Sequence, residues 1–304
     1  MRNREKMSGI FDKNGAEMLF DYAAAKYMDD KRKRLRLNTM EGYESALKCH
    51  LTPRWKGVEM ETITPEEIQD WIDGFEMPGA AEKAYKTLRQ IIRWAIRRLG
   101  LRMYDPTATG IELPRKNPYQ PKLLDADGAA EFLRALWDHE CEAVAICAVT
   151  LGLRRGEACG LKWSDIDLRT GEVRIVRSRQ VVRGEEVIEA PKTEKSVRSC
   201  WLPKFAVRRL RKLKGKGWLC DLKPDKIARR IASACKRSKA PCVSMTNLRH
   251  TWATLAVEAG VGIETVAMML GHTDISTAYA HYIVPRATIC KDAQKQIEAL
   301  LMHT

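Results

Sequence analysis

The segment Leu113-Pro114-Arg115-Lys116-Asn117-Pro118-Tyr119-Gln120-Pro121 carries three prolines and no hydrophobic periodicity. Each proline fixes its own φ, removes an amide donor and pushes the preceding residue toward extended backbone. No regular element runs through such a stretch, so an extended linker is expected over 114–122, dividing the 304-residue chain in two. Both parts are long enough for a core of their own, since domains of about 100–200 residues are the ordinary size. The expected organisation is a short polar tail at 1–13, a helical domain at 14–113 and a second domain at 123–304.

In the first domain Phe20, Ala24 and Tyr27 recur at helical spacing, as do Ile63, Ile68, Trp71 and Ile72 around a Thr64-Pro65-Glu66 helix start. The last helix, 81–99, turns Leu88, Ile91, Ile92 and Ala95 inward and leaves Lys86, Arg89, Arg93, Arg97 and Arg98 for the surface. In the second domain Leu124-Asp125-Ala126-Asp127 reads as a capped helix start, and an apolar helix covers 143–151. Strand formers follow at Val173, Ile175, Val181, Val182, Val187 and Ile188, broken at Arg183-Gly184-Glu185 and at Pro191-Lys192-Thr193. That pattern predicts one small antiparallel sheet with two tight turns, after which helices resume at Lys204. The expected fold is mainly α with a small antiparallel β-sheet, a helical bundle followed by a mixed α+β domain.

The formal net charge is +14, of which +4 falls on residues 1–120 and +10 on the remainder. The densest run, 204–239, holds fourteen basic residues against two acidic ones. A field of this sign attracts polyanions and displaces counterions from nucleic acid, although a solvated helical face accounts for many of the lysines equally well. The outward face of 81–99, with Arg89, Arg93 and Arg97, is placed to lie on phosphates. No window approaches the roughly 18 apolar residues of a membrane helix, and the N-terminus lacks a secretory apolar core, so a cytoplasmic, nucleoid-associated protein with no membrane partner is expected. Nine scattered cysteines without a CxxC pair predict reduced thiols, and no clustered carboxylate or cysteine site suggests a metal.

Four short segments of the second domain hold chemistry-bearing side chains: Gly152-Leu153-Arg154-Arg155-Gly156-Glu157, Pro191-Lys192-Thr193, Asn247-Leu248-Arg249-His250, and Leu270-Gly271-His272 with Tyr279 and Tyr282 beyond. Paired guanidiniums suit the charge that grows on the nonbridging oxygens of a pentacoordinate phosphoryl transition state. A tyrosine hydroxyl can attack there and keep the energy of the broken bond in an ester, and a lysine can protonate the leaving oxygen. Singly, each residue also has a structural role open to it. Arg154 and Arg155 can cap a helix or pair with Glu157, Arg249 can be an exposed helix residue, Lys192 an ordinary turn lysine, and one of the two tyrosines a core aromatic. His272 can be a helix C-terminal residue after Gly271, where the helix dipole favours positive charge.

In joint order and spacing these segments closely resemble the tyrosine recombinase or phage integrase family, whose signature runs GxRxxE, a β-hairpin lysine, HxxR, LGH, and a tyrosine nine or ten residues on. Gly152, Arg154 and Glu157 match the first, Lys192 the second, Arg249 the arginine of the third, Gly271 and His272 the fourth, and Tyr282, ten residues past His272, the last. The resemblance implies that Arg154 and Arg249 clamp a scissile phosphate, Lys192 protonates the leaving 5′ oxygen, His272 donates to the phosphate and Tyr282 attacks it. It further implies double-stranded DNA as partner, a homotetramer on two DNA sites, possible accessory DNA-bending or directionality factors, and no metal or other cofactor. Residues 14–118 resemble the helical core-binding domain that closes over DNA, and Arg155 joins Arg89, Arg93 and Arg97 as a candidate DNA contact. Many members carry a further arm-binding domain, whereas here about a dozen polar residues precede the bundle, as in the shorter members or a truncated one.

One position departs from the pattern. Thr246 stands where the family has the histidine of HxxR. Its hydroxyl cannot act as a general base near neutrality but can donate a hydrogen bond. Thr246 is expected to cap a helix over 248–259 that ends at Gly260. His250, one turn on, is a supporting residue and does not take the missing role. The stretch 287–301, with Ile289, Ile297, Leu300 and Leu301 on one face, can pack on a neighbouring protomer or on its own domain. Two rival readings stand: a catalytically silent DNA-binding regulator using a helix-turn-helix through Gly260, and a relaxing topoisomerase of the type IB kind.

Overall fold

The computed structural model describes residues 18–108, 110–117, 119–190, 197–271, 298 and 301–302. Contacts along the chain divide it into two compact units, 1–119 and 120–304. No described helix is long and apolar enough to cross a membrane.

Among its described residues the regular elements of the first unit are all helices, and residues 100–119 carry none. Helix α1 (Phe20–Arg32) buries Phe20, Ala23 and Tyr27, with the Tyr27 ring edge-on to Tyr43 of α2 (Leu37–Ala46), which runs through a π turn at Leu47–Leu51 into the short α3 (Thr52–Trp55). Helix α4 (Pro65–Asp73) begins where the sequence places it, because Thr64 and Glu67 form a reciprocal cap. The Thr64 hydroxyl accepts from the Glu67 amide at 3.2 Å, and the Glu67 carboxylate accepts from the Thr64 amide at 3.1 Å. Helix α5 (Pro78–Trp94) continues as a π turn to Leu99 and buries Leu88, Ile91, Ile92 and Ala95. Each such Leu or Ile contributes about 1.5–3 kcal/mol on burial, and this one stripe orients the basic face outward.

The second unit is built around α7 (Glu142–Leu151), whose described side chains are buried all round apart from Thr150. A helix apolar on every side can only be central. Around it stand α6 (Ala126–Arg134), capped by Asp125, the short α8 (Arg155–Cys159), α9 (Lys204–Leu213), α10 (Pro224–Arg237), α11 (Met245–Glu258) and α12 (Ile263–Leu270). The buried Glu142 at the start of α7 is neutralised by Arg209 of α9, with Nε at 2.5 Å from Oε1.

The single small sheet expected from the sequence is instead two. Strands β1 (Ile166–Asp167), β2 (Glu172–Ile175) and β5 (Arg198–Trp201) form an antiparallel sheet in the order β1-β2-β5. Strands β3 (Ser178–Val182) and β4 (Glu185–Glu189) make a separate hairpin. The reason is edge accounting: β2 already pairs with β1 on one side and β5 on the other, so β3 has no free edge of β2 to join. The hairpin turn does fall at Arg183-Gly184, both at positive φ (52° and 80°), as a tight two-residue connection requires. The second expected turn, at Pro191-Lys192-Thr193, lies outside the described residues.

Candidate active site

Helix α7 ends at Gly152, which adopts the left-handed conformation (φ 60°) and reverses the chain into α8. A side chain there is excluded twice over, by the φ and by space. An added Cβ would lie 2.6 Å from the Trp252 ring and 2.8 Å from Leu270. The turn places Arg154 at the N-cap of α8 and Glu157 three residues into it. The Glu157 carboxylate accepts from the Arg154 amide at 3.0 Å and from Arg154 Nη1 at 2.8 Å. The pairing of Arg154 with Glu157 that the sequence left open as a structural role is thus present.

Three arginines meet at the C-terminal end of α12, where helix geometry leaves carbonyl groups without intrahelical partners. Arg198 Nε donates to the Met269 carbonyl at 3.0 Å, Arg249 Nη2 to the Leu270 carbonyl at 2.9 Å, and Arg154 Nη2 to the Gly271 carbonyl at 3.1 Å. Arg249 also donates through Nη1 to the Gly152 carbonyl at the end of α7, 2.9 Å away. The negative ends of two helix dipoles therefore help hold a cluster of cations together. Arg249 is only 7% exposed, so it is not the surface helix residue that its sequence context allowed. The Arg154 side chain is 44% exposed, leaving it the accessible member.

Glu157 is the one acid in this cluster that the described contacts show, and it binds Arg154 and Arg198 together. Burial by itself pushes its carboxyl up. The hydrogen bond and charge of Arg198, then those of Arg154, outweigh burial and hold it below the usual carboxylate range. The exposed Arg154 guanidinium beside this pair can receive an anion. Arg155, the next residue, is exposed at the first turn of α8.

Thr246 does not cap its helix. Helix α11 starts at Met245, and Ser244, in extended backbone, accepts the Asn247 amide on its hydroxyl at 3.2 Å. Thr246 is exposed inside the first turn, and His250, four residues on along the same face, is half-buried. The helix does end as expected, with Gly260 at φ 85° just past Ala259. Ser244→Ala is therefore expected to cost about 1 kcal/mol of stability in urea unfolding. Thr246→His is expected to stay within about 0.5 kcal/mol of the wild type. A loss of about 1 kcal/mol in Thr246→His with none in Ser244→Ala would return the cap to Thr246.

Lys192, His272, Tyr279 and Tyr282, with nearly all of 287–301, lie outside the described residues. Arg198 was not singled out from the sequence, yet a signal was there. It occupies the same strand face as the buried Cys200, and a charge at an inward strand position needs a partner. In the first unit, Arg89, Arg93 and Arg97 line an open groove of about 960 Å³ with Lys31, Arg34 and Arg98. Arg93 is partly compensated there, since its Nε donates to Asp105 at 2.9 Å. Burial raises the Asp105 carboxyl, but the hydrogen bonds of Thr107 and then of Arg93 reverse this and hold it low.

Residues 124–288, more than half of the chain, match the model of the phage integrase family, and residues 19–75 match that of the phage integrase N-terminal SAM-like domain. The first span contains every motif position from Arg154 to Tyr282. The chain belongs to the phage integrase family, the tyrosine recombinases. Among its relatives, the tyrosine recombinase XerC-like protein of Caldanaerobacter subterraneus subsp. tengcongensis is 26% identical over 276 residues, which span 76% of this chain and 71% of the relative. Tyrosine recombinase XerC of Pseudomonas putida is 26% identical over 241 residues, spanning 73% and 77%. Among solved structures, the Tn1549 transposon integrase in complex with transposon right-end DNA superposes with a TM-score of 0.76 at 16% identity, over 92% of this chain and 100% of that one. A lambda integrase tetramer bound to a Holliday junction gives 0.67 at 19% identity, over 88% and 78%. At those identities the likeness is one of fold.

Proposed function

We propose that this protein breaks and rejoins double-stranded DNA at specific sites through a 3′-phosphotyrosyl intermediate, in the integration or excision of a mobile element. The observation that carries this reading is the convergence of Arg154, Arg249 and Arg198 on the last carbonyls of α12, immediately before His272, which itself precedes Tyr282 by ten residues. In the proposed step the Tyr282 oxygen gives up its proton to water and bonds to the scissile phosphorus as the bond to the 5′ oxygen breaks. Arg154 and Arg249 stabilise the nonbridging oxygens, Lys192 supplies the proton to the leaving 5′ oxygen, and His272 donates to the phosphate. Thr246 contributes a hydrogen bond in place of the family's histidine. The guanidiniums supply the positive charge that a metal ion would otherwise bring, and rejoining runs the same steps backwards without ATP.

Residues 14–113 would form the core-binding domain, with Arg89, Arg93 and Arg97 on backbone phosphates, and 123–304 the catalytic domain, with Arg155 at the DNA. Resemblance to the family suggests a homotetramer on two DNA sites, with accessory DNA-bending or directionality factors as possible partners. Its basic excess suits a nucleoid-associated protein of the cytoplasm.

The test is a nicked half-site from the ends of the element carrying the coding sequence, incubated with the protein in excess EDTA. A denaturant-stable, protease-sensitive protein–DNA band is expected at a rate unchanged by the chelator. An absolute requirement for magnesium, with free 3′ ends as product, would mean a nuclease. Sequence-specific binding with no adduct would mean a silent regulator, and relaxation of supercoils without sequence preference a type IB topoisomerase.

A further inference from the structure

We propose that Arg198 is a positioning residue of the strand-cleavage site, aligning Arg154 and the chain that enters His272; the proposal rests on the function argued above. Three of its contacts tie separate parts of the sequence together. Its Nη1 and Nη2 donate to the two oxygens of Glu157, at 3.2 and 2.9 Å. Its Nε donates to the Met269 carbonyl at 3.0 Å. Its side chain also lies beside Gly271, where an added Cβ would stand 3.3 Å from Nη1. Gly271 is at φ 67°, a backbone conformation that favours glycine at the position before His272.

The mounting of Arg198 is rigid. It is the first residue of β5, held opposite Ile175 of β2, and its side chain is 9% exposed. Strand β5 is also where the chain returns from the segment containing Lys192. One guanidinium therefore spans the first arginine motif, the run-in to His272 and the strand that follows Lys192. The fork matters: two parallel N–H donors fix the plane of the Glu157 carboxylate, and that plane decides where Arg154 Nη1 finds its acceptor. Without Arg198, Glu157 can turn both oxygens to Arg154, drawing it from the Gly271 carbonyl and from a phosphate. A lysine keeps the charge but not the two-pronged geometry.

The experiment measures single-turnover adduct formation on the nicked half-site at saturating protein, alongside the equilibrium Kd for the intact site. In Arg198→Gln the saturating rate is expected to fall about 100-fold, the cost of displacing a reacting group by about 1 Å, with Kd within about 3-fold. Arg198→Lys should recover part of the loss, about 10-fold, and as the milder change it carries the test if the glutamine variant does not fold. In a Glu157→Gln background, already slow, the further loss on adding Arg198→Gln should be under about 3-fold, because both changes break one linkage. A wild-type rate in Arg198→Gln, a loss confined to Kd, or losses that multiply in the double variant would each overturn the proposal. A wild type that forms no adduct would instead overturn the proposed function.

Discussion

Tyr282→Phe is expected to abolish the covalent protein–DNA adduct, lowering its rate of formation by about 10⁴-fold or more, while DNA affinity stays within a few fold. The change deletes the single oxygen that would bond to phosphorus and leaves the rest of the side chain as it was. Loss of a nucleophile falls at the large end of known single-residue effects on rate. Two tyrosines compete for the role, Tyr279 and Tyr282, three residues apart in the sequence. Their phenylalanine variants separate them in one gel. Loss of the adduct in Tyr279→Phe with retention in Tyr282→Phe would move the nucleophile to Tyr279, and a Tyr282→Phe protein with wild-type adduct would remove Tyr282 from the mechanism.

Arg249 carries the second large effect, because it serves the fold and the proposed chemistry with the same atoms. Its Nη1 and Nη2 satisfy the Gly152 and Leu270 carbonyls, each at 2.9 Å, in a setting where the residue is 7% exposed. Arg249→Ala removes both donors, and a buried acceptor left unsatisfied costs about 1–3 kcal/mol. Urea unfolding should therefore show a loss of at least about 2 kcal/mol. Cleavage at saturation should fall by about 10²–10³-fold on top of that, as for loss of one donor to a developing oxyanion. Arg249→Lys should split the two. An ammonium can reach one carbonyl and recover part of the stability, but it cannot reproduce the planar fork, so cleavage should remain at least about 10²-fold down. A lysine variant that cleaves at the wild-type rate would show that charge alone is used at this position.

Much of the molecule could be read from local pattern. The Thr64-Pro65-Glu66 start of α4, the inward stripe of Leu88, Ile91 and Ile92, the turn at Arg183-Gly184 and the end of α11 at Gly260 depend on residues within four or five positions of each other. The cap of α11 was misplaced by two residues because Ser244 and Thr246 are both good capping residues. Which one takes extended backbone depends on where the preceding chain from α10 arrives. The division of the strands into two sheets was equally illegible, since alternation marks a strand but not the partner occupying each of its edges.

Family membership is legible in the order and spacing of Arg154, Lys192, Arg249, His272 and Tyr282, and the helical pattern of the first part of the chain and the basic surplus that suits DNA are legible beside it. Spacing is a linear property, and a motif survives in it whatever the fold does between its members. How the described motif parts are held depends on contacts far apart in the chain. Arg154 meets Gly271 across 117 positions, Arg249 meets Gly152 across 97, and Arg198 meets Met269 across 71 and Glu157 across 41. Contacts of that separation arise when helix ends with unmatched carbonyls are packed together and buried cations are drawn to them, so the membership of Arg198 in the site appears only once α12, α8 and β5 have been brought to one place.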